Sequence, residues 1–297
     1  MDTVLPETSG VKTPASSAWI DLLKVVLTVG IVCRHATWAE VGTDQSLFQA
    51  VTHGISVVTE ICVPLFFVLS GFLFFLNCPE KPAASYFGAK LKRRIFSLLI
   101  PYLIANVIAF GCYWAAGRFA PSLVSGFFGD KLHNPLFVFW TGPVNLSLWF
   151  IRELMVCCLL SPLVWLIIRY TRVFGVIALG LLWAFHIGPM PIFYFTLGAW
   201  PAIRNLHIKG LSDWMERHPV KVTPASRAWC YFIYLYHYLL LIGIKKGLVA
   251  ILKPNSSWGY LGCYFASVVI VLALLTGLYF LMRRYLPRFT GVLIGGK

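Results

Sequence analysis

Residues 258–282 run for 25 positions without an Asp, Glu, Lys or Arg. A run of that length matches the roughly 20 apolar residues an α-helix needs to cross the hydrocarbon of a bilayer. Inside lipid every backbone N–H and C=O must be satisfied within the structure, which leaves only helices and closed barrels. The run lacks the polar–apolar alternation of a barrel strand, so it reads as a helix. Comparable apolar runs recur at about 18–37, 55–77, 95–116, 147–168, 173–188, 190–203 and 228–251. Hydrophobic residues make up 59% of the chain and charged residues 12%, about half the usual share of a soluble domain. The expected fold is all-α: a polytopic transmembrane helical bundle of about eight spans.

The formal charge of +14 is distributed in short basic runs beside the apolar segments, not in one stripe. Membrane topology explains that pattern better than nucleic-acid binding does. Lys90, Lys92, Arg93 and Arg94 follow the second run, Arg169 and Arg172 the fourth, and Arg283, Arg284 and Arg288 the last. All fall on one side if both termini are cytoplasmic, the orientation expected of a multi-pass protein of the cell's inner membrane. Lys245, Lys246 and Lys253 fall on the other side and break the pattern. The division is a cytoplasmic tail over 1–17 without a cleavable signal pattern, a transmembrane domain over 18–284 and a cytoplasmic tail over 285–297. Eight cysteines show no metal-ligand spacing, and no metal is expected.

The first span carries chemistry. Asp21, Lys24 and His35 lie within one apolar segment, and ionisable groups inside a membrane are costly enough to be read as functional. Lys24 and His35 are 11 residues apart; at 3.6 residues per turn they share nearly the same face, about 16 Å apart along the axis. One can meet a ligand at the cytoplasmic end while the other works deeper.

Several motifs together resemble the acyltransferase 3 family of integral membrane acyltransferases. They are Ile20-Asp21-Leu22-Leu23-Lys24 through His35, Val63-Pro64-Leu65-Phe66-Phe67-Val68-Leu69-Ser70-Gly71-Phe72, Lys92-Arg93-Arg94 leading to Ile100-Pro101-Tyr102, Leu148-Trp149-Phe150-Ile151-Arg152-Glu153-Leu154, and Tyr231-Phe232-Ile233-Tyr234-Leu235-Tyr236-His237. The family's signature is an arginine, ten residues and a histidine; here Lys24 holds the arginine position, keeping the charge but not the planar fork. The resemblance implies transfer of an acyl group, usually acetyl from acetyl-CoA, to a hydroxyl of a surface or envelope saccharide, free or lipid-linked. Relatives place two further spans before the late histidine segment; this chain has Arg204–Arg227, too charged to cross the bilayer.

Under that resemblance His35 is the general base, taking the acceptor hydroxyl's proton with a neutral imidazole. Lys24, Arg93 and Arg94 meet the donor's phosphates, with Asp21 positioning Lys24. Ser70, Trp149, Arg152, Glu153 and His237 are the candidate substrate contacts. Each has a structural alternative: Lys24 snorkelling to headgroups, Arg93 and Arg94 a topology signal, Ser70 a close-packing residue, Arg152 with Glu153 an ion pair, and His237 a packed histidine. Aromatic residues between Arg118 and Trp149, with Asn134 and Asn145, offer saccharide-binding chemistry in no diagnostic spacing. Competing functions are a non-catalytic exporter of a saccharide or lipid-linked precursor, or an inactive family member lacking two helices.

Overall fold

The computed structural model describes residues 15–37, 46–119, 137–206, 209–223 and 225–296. Most of the expected N-terminal tail, together with Phe127, Phe128 and Asn134, lies outside the described residues. Among the described residues every regular element is helical: α1 Ala15–His35, α2 Ser46–Thr59, α3 Cys62–Phe75, α4 Ala84–Arg94, a π-helical turn Ile95–Leu99, α5 Ile100–Phe119, α6 Trp149–Leu159, α7 Ser161–Thr171, α8 Val173–Ala184, α9 Met190–Ile203, α10 Lys209–Arg217, α11 Ser226–Leu252, α12 Ser257–Tyr285 and α13 Pro287–Leu293. The chain is an all-α membrane helical bundle. Among the described residues four stretches are long and apolar enough to span: Ser46–Phe75, Ala84–Phe119, Ser226–Leu252 and Ser257–Tyr285. A fifth is possible if Leu146–Leu159 and Ser161–Thr171, bent by 59°, count as one.

Prolines explain the interruptions, because each removes an N–H and presses its ring on the carbonyl four residues back. Pro64 lies four residues after the break at Glu60, Pro101 follows the π-helical turn over Ile95–Leu99, and Pro162 follows the bend at Leu160. The two runs expected at 173–188 and 190–203 are helical but short. At 12 and 14 residues, α8 and α9 rise only about 18 and 21 Å, below the hydrocarbon thickness of about 30 Å. They form a hairpin in which Trp183 stacks on Phe193 with centroids 5.5 Å apart.

Helix packing inside lipid gains little from burying apolar side chains, so close backbone approach matters more. The tightest crossing is α3 on α9. A methyl group placed on Gly71 would run into the Phe195 carbonyl, and one on Gly198 into the Val68 carbonyl. The two glycines are reciprocal across the crossing, and the obstacle in both cases is backbone. Gly71→Ala and Gly198→Ala should each destabilise the folded protein by about 1–3 kcal/mol. Gly111→Ala, whose added carbon would meet nothing within 4 Å, should be near neutral; thermal unfolding in detergent reads the contrast.

Long-range contacts identify one end of the bundle. Trp19 Nε1 donates to the His218 carbonyl at 2.8 Å, and its ring lies 5.0 Å from that of Trp214, so α10 docks on the start of α1. Arg169 pairs with Glu80 at 3.2 Å, bringing the end of α7 to the turn before α4. The basic runs therefore gather at the end where α1 and α11 begin. Lys245, at the opposite end, has a structural reason: its Nζ donates to the Thr37 carbonyl at 2.9 Å and the His35 carbonyl at 3.4 Å. A lysine satisfying the last carbonyls of a helix also complements its dipole.

Candidate active site

Helices α1 and α11 run parallel, since their starts and their later turns meet. Near the start, Arg227 Nε lies 2.8 and 2.7 Å from the two Asp21 oxygens, and Lys24 Nζ lies 3.3 Å from Oδ1. Asp21 is only 5% exposed. A carboxylate withdrawn from water so far needs cationic partners, and here it has two from different helices. Further along, the rings of His35 and His237 face each other with centroids 5.4 Å apart.

Beside the Asp21 cluster lies a cavity of about 570 Å³. Lys24 and Thr28 of α1, Ser70 of α3, Arg94 of α4, Leu154 and Cys158 of α6, and Arg227, Tyr231 and Tyr234 of α11 contribute to its wall. Its size is that of a small-ligand site. Three cations line it, and among the described residues Asp21 pairs with two of them; the set suits an anionic ligand.

The expected residues thus separate. Lys24, Ser70 and Arg94 reach the cavity, and Asp21 holds Lys24 at its edge. Arg93 is exposed on another face of α4. Lys90, one turn before Arg94, donates to the Phe74 carbonyl and lies over the Phe74 and Tyr86 rings at 5.1 and 4.9 Å. Ser70 and Gly71 have different neighbours: Ser70 faces the cavity and Gly71 faces α9.

Trp149, Arg152 and Glu153 are not in the cavity wall. Arg152 bonds Glu153 Oε1 through Nε at 3.1 Å and through a terminal nitrogen at 2.7 Å, and its other terminal nitrogen donates to the carbonyls of Trp140 at 2.7 Å and Thr141 at 2.9 Å. That guanidinium ties the segment before α6 to α6 itself. Asn145 is buried, accepting from Ser147 Oγ and donating to the Leu235 carbonyl, both at 2.7 Å. It pins α11 and leaves no amide group facing outward for a saccharide.

His35 lies beyond the cavity. The wall on α1 ends at Thr28, and His35 is seven residues further, about 10 Å of helix rise. Its ring is half-buried, against His237 on one side and the edge of Tyr238 at 5.2 Å on another. Its neighbour Arg34 turns away to the Ser56 carbonyl at 2.8 Å and to Glu60 at 3.8 Å.

Arg227 is the residue that sequence reasoning missed. The signal was present: Arg227 precedes His237 by ten residues at the start of one helix, much as Lys24 precedes His35 by eleven. Tyr231 and Tyr234 follow Arg227 by four and seven residues, one helical stripe.

Comparison with known proteins bears on this arrangement. The model of a family described as Acyltransferase domain matches residues 17–214, which include Asp21, Lys24, His35, Ser70, Arg94, Arg152 and Glu153. The succinoglycan biosynthesis protein ExoH of Rhizobium meliloti (strain 1021) is 29% identical over 229 residues, covering 66% of this chain and 56% of that protein. The chain therefore spans little more than half the length of this curated relative. No solved structure matches.

Proposed function

Because the chain belongs to the acyltransferase family whose domain model covers residues 17–214, we propose that it is an integral membrane O-acyltransferase moving acetyl from acetyl-CoA to a hydroxyl of an envelope or surface saccharide. The observation that carries this reading is the convergence of Lys24, Arg94 and Arg227 on one cavity at the end where α1 starts. Guanidinium and ammonium groups bind phosphate through charge-assisted hydrogen bonds, and the donor's nucleotide is its anionic part. With that end cytoplasmic, the donor enters from the cytoplasm and both termini face it. Its acyl group then lies along the α1 face that leads from Lys24 to His35. The printed name of the relative, a succinoglycan biosynthesis protein, favours a saccharide acceptor.

At His35 the chemistry is general-base catalysis. The acceptor oxygen attacks the thioester carbonyl carbon as His35 takes the hydroxyl proton. The new C–O bond forms, the C–S bond breaks, and His35 returns the proton to the departing thiolate. The base must be a neutral imidazole at the start, and among the described residues the half-buried ring has no carboxylate partner to hold it charged.

Membrane vesicles of defined sidedness test the function and the orientation together. Labelled acetyl-CoA added outside inside-out vesicles loaded with envelope saccharide should label that saccharide, and right-side-out vesicles should not respond. No transfer in the inside-out preparation, with the protein present at normal amount, would favour the exporter or the inactive relative.

A further inference from the structure

His237 is fully buried, and its Nδ1 lies 2.9 Å from the Tyr234 carbonyl oxygen and 3.1 Å from that of Ile233. Both partners are acceptors only, so Nδ1 must carry the proton. In the neutral ring the lone pair then belongs to Nε2. That atom is buried with no hydrogen-bond partner among the described residues. An acceptor left so is uncommon and calls for an explanation. The ring it accompanies faces His35 at a centroid distance of 5.4 Å and a tilt of 39°. Two imidazoles joined by one N–H···N bond have centroids about 5.3 Å apart, from an N···N distance of about 3.0 Å and the two ring radii. The observed separation of 5.4 Å is close to that of such a pair.

We infer that His237 is a positioning residue for His35: its Nε2 accepts a hydrogen bond from the His35 ring and fixes which His35 nitrogen is left with a lone pair for the acceptor hydroxyl. This rests on the reading of His35 as the base. The two cations near His35 are engaged elsewhere. Arg34 bonds the Ser56 carbonyl, and Lys245 bonds backbone carbonyls at the end of α1. Tyr238 meets His35 edge-on and orients the ring sterically. In the reaction the hydroxyl proton goes to the free His35 nitrogen, making an imidazolium whose second N–H still points at His237 Nε2. His237 gains and loses no proton. It stabilises the cation formed in the transition state and keeps its own tautomer, because its Nδ1–H is committed to the α11 backbone.

Two substitutions separate this role from simple packing. His237→Gln can place a carbonyl oxygen near the Nε2 position and so keep the acceptor. His237→Asn can keep a donor near Nδ1 for the backbone carbonyls but has nothing to offer His35. The probe is diethyl pyrocarbonate, which reacts with an unprotonated imidazole nitrogen; its rate at His35 is read by mass spectrometry in detergent-solubilised protein. Expected is a slowing on the order of tenfold in His237→Asn and a rate within about threefold of wild type in His237→Gln. Acetyl transfer should follow the same order through kcat, with KM for the donor unchanged. Equal His35 reactivity in all three proteins, equal loss in both variants for whatever reason, or greater loss in His237→Gln would overturn the inference. If wild type transfers no acetyl while the Asn and Gln variants still differ at His35, the acyltransferase reading fails and the histidine pairing stands.

Discussion

Under the proposed function, His35→Ala should lower acetyl transfer by about 10² to 10⁴, the usual contribution of a positioned general base. The expectation is sharp because His35 lies about 10 Å beyond Thr28, the last α1 residue of the cavity wall. Loss of the imidazole should therefore leave donor affinity within about twofold while kcat collapses. Its half-buried ring meets His237 at a tilt and the edge of Tyr238, so truncation removes two ring contacts and, among the described residues, no ion pair. Transfer of labelled acetyl in membranes, normalised to protein amount, measures kcat, and equilibrium binding of acetyl-CoA in detergent measures the donor side. Full transfer by the variant would remove His35 from the chemistry and, with it, the mechanism.

Donor affinity should respond most strongly to the cations. Each charge-assisted hydrogen bond is worth about 1.5–3 kcal/mol when lost. Lys24 and Arg227 are 22% and 48% exposed at the side chain, so the lower part of that range applies. Lys24→Gln is then expected to weaken acetyl-CoA binding by about tenfold. Lys24→Arg should preserve or improve it, because a planar fork suits phosphate oxygens. Arg227→Gln should also weaken binding, and the double variant should differ from the sum of the singles. The coupling follows from Asp21, which holds both cations: with Arg227 gone, its negative charge falls on Lys24 alone. Unchanged affinity in Lys24→Gln would exclude Lys24 from the donor site.

Much of the bundle was legible because lipid imposes a simple rule on the backbone. Apolar length marked the long helices, and basic runs beside them marked the end at which Trp19 meets Trp214 and Arg169 meets Glu80. The two shortest apolar runs, 173–188 and 190–203, form the short helices α8 and α9, for composition reports apolarity and not where a turn such as Phe185–Pro189 cuts a helix. The break at Glu60 and the 59° bend at Leu160 lie beside Pro64 and Pro162, which apolar length alone does not register.

Within a single helix, spacing alone set geometry: Lys24, Thr28 and His35 share one side of α1 because the 3.6-residue period leaves no other choice. By itself, then, the sequence determined the membrane class, the helices and the order of groups along α1. It could not choose which face of α11 would meet that stripe. In a water-soluble bundle the apolar face points inward and betrays the packing, whereas lipid is as apolar as a helix interface, so α11 and α12 give no such sign. Close contacts of backbone, such as Gly71 on Phe195 and Gly198 on Val68, decide the rotations and crossings instead. Only the tertiary structure could therefore bring Arg227 to Asp21 across 206 residues, gather three cations around one cavity, and turn the buried ring of His237 toward His35.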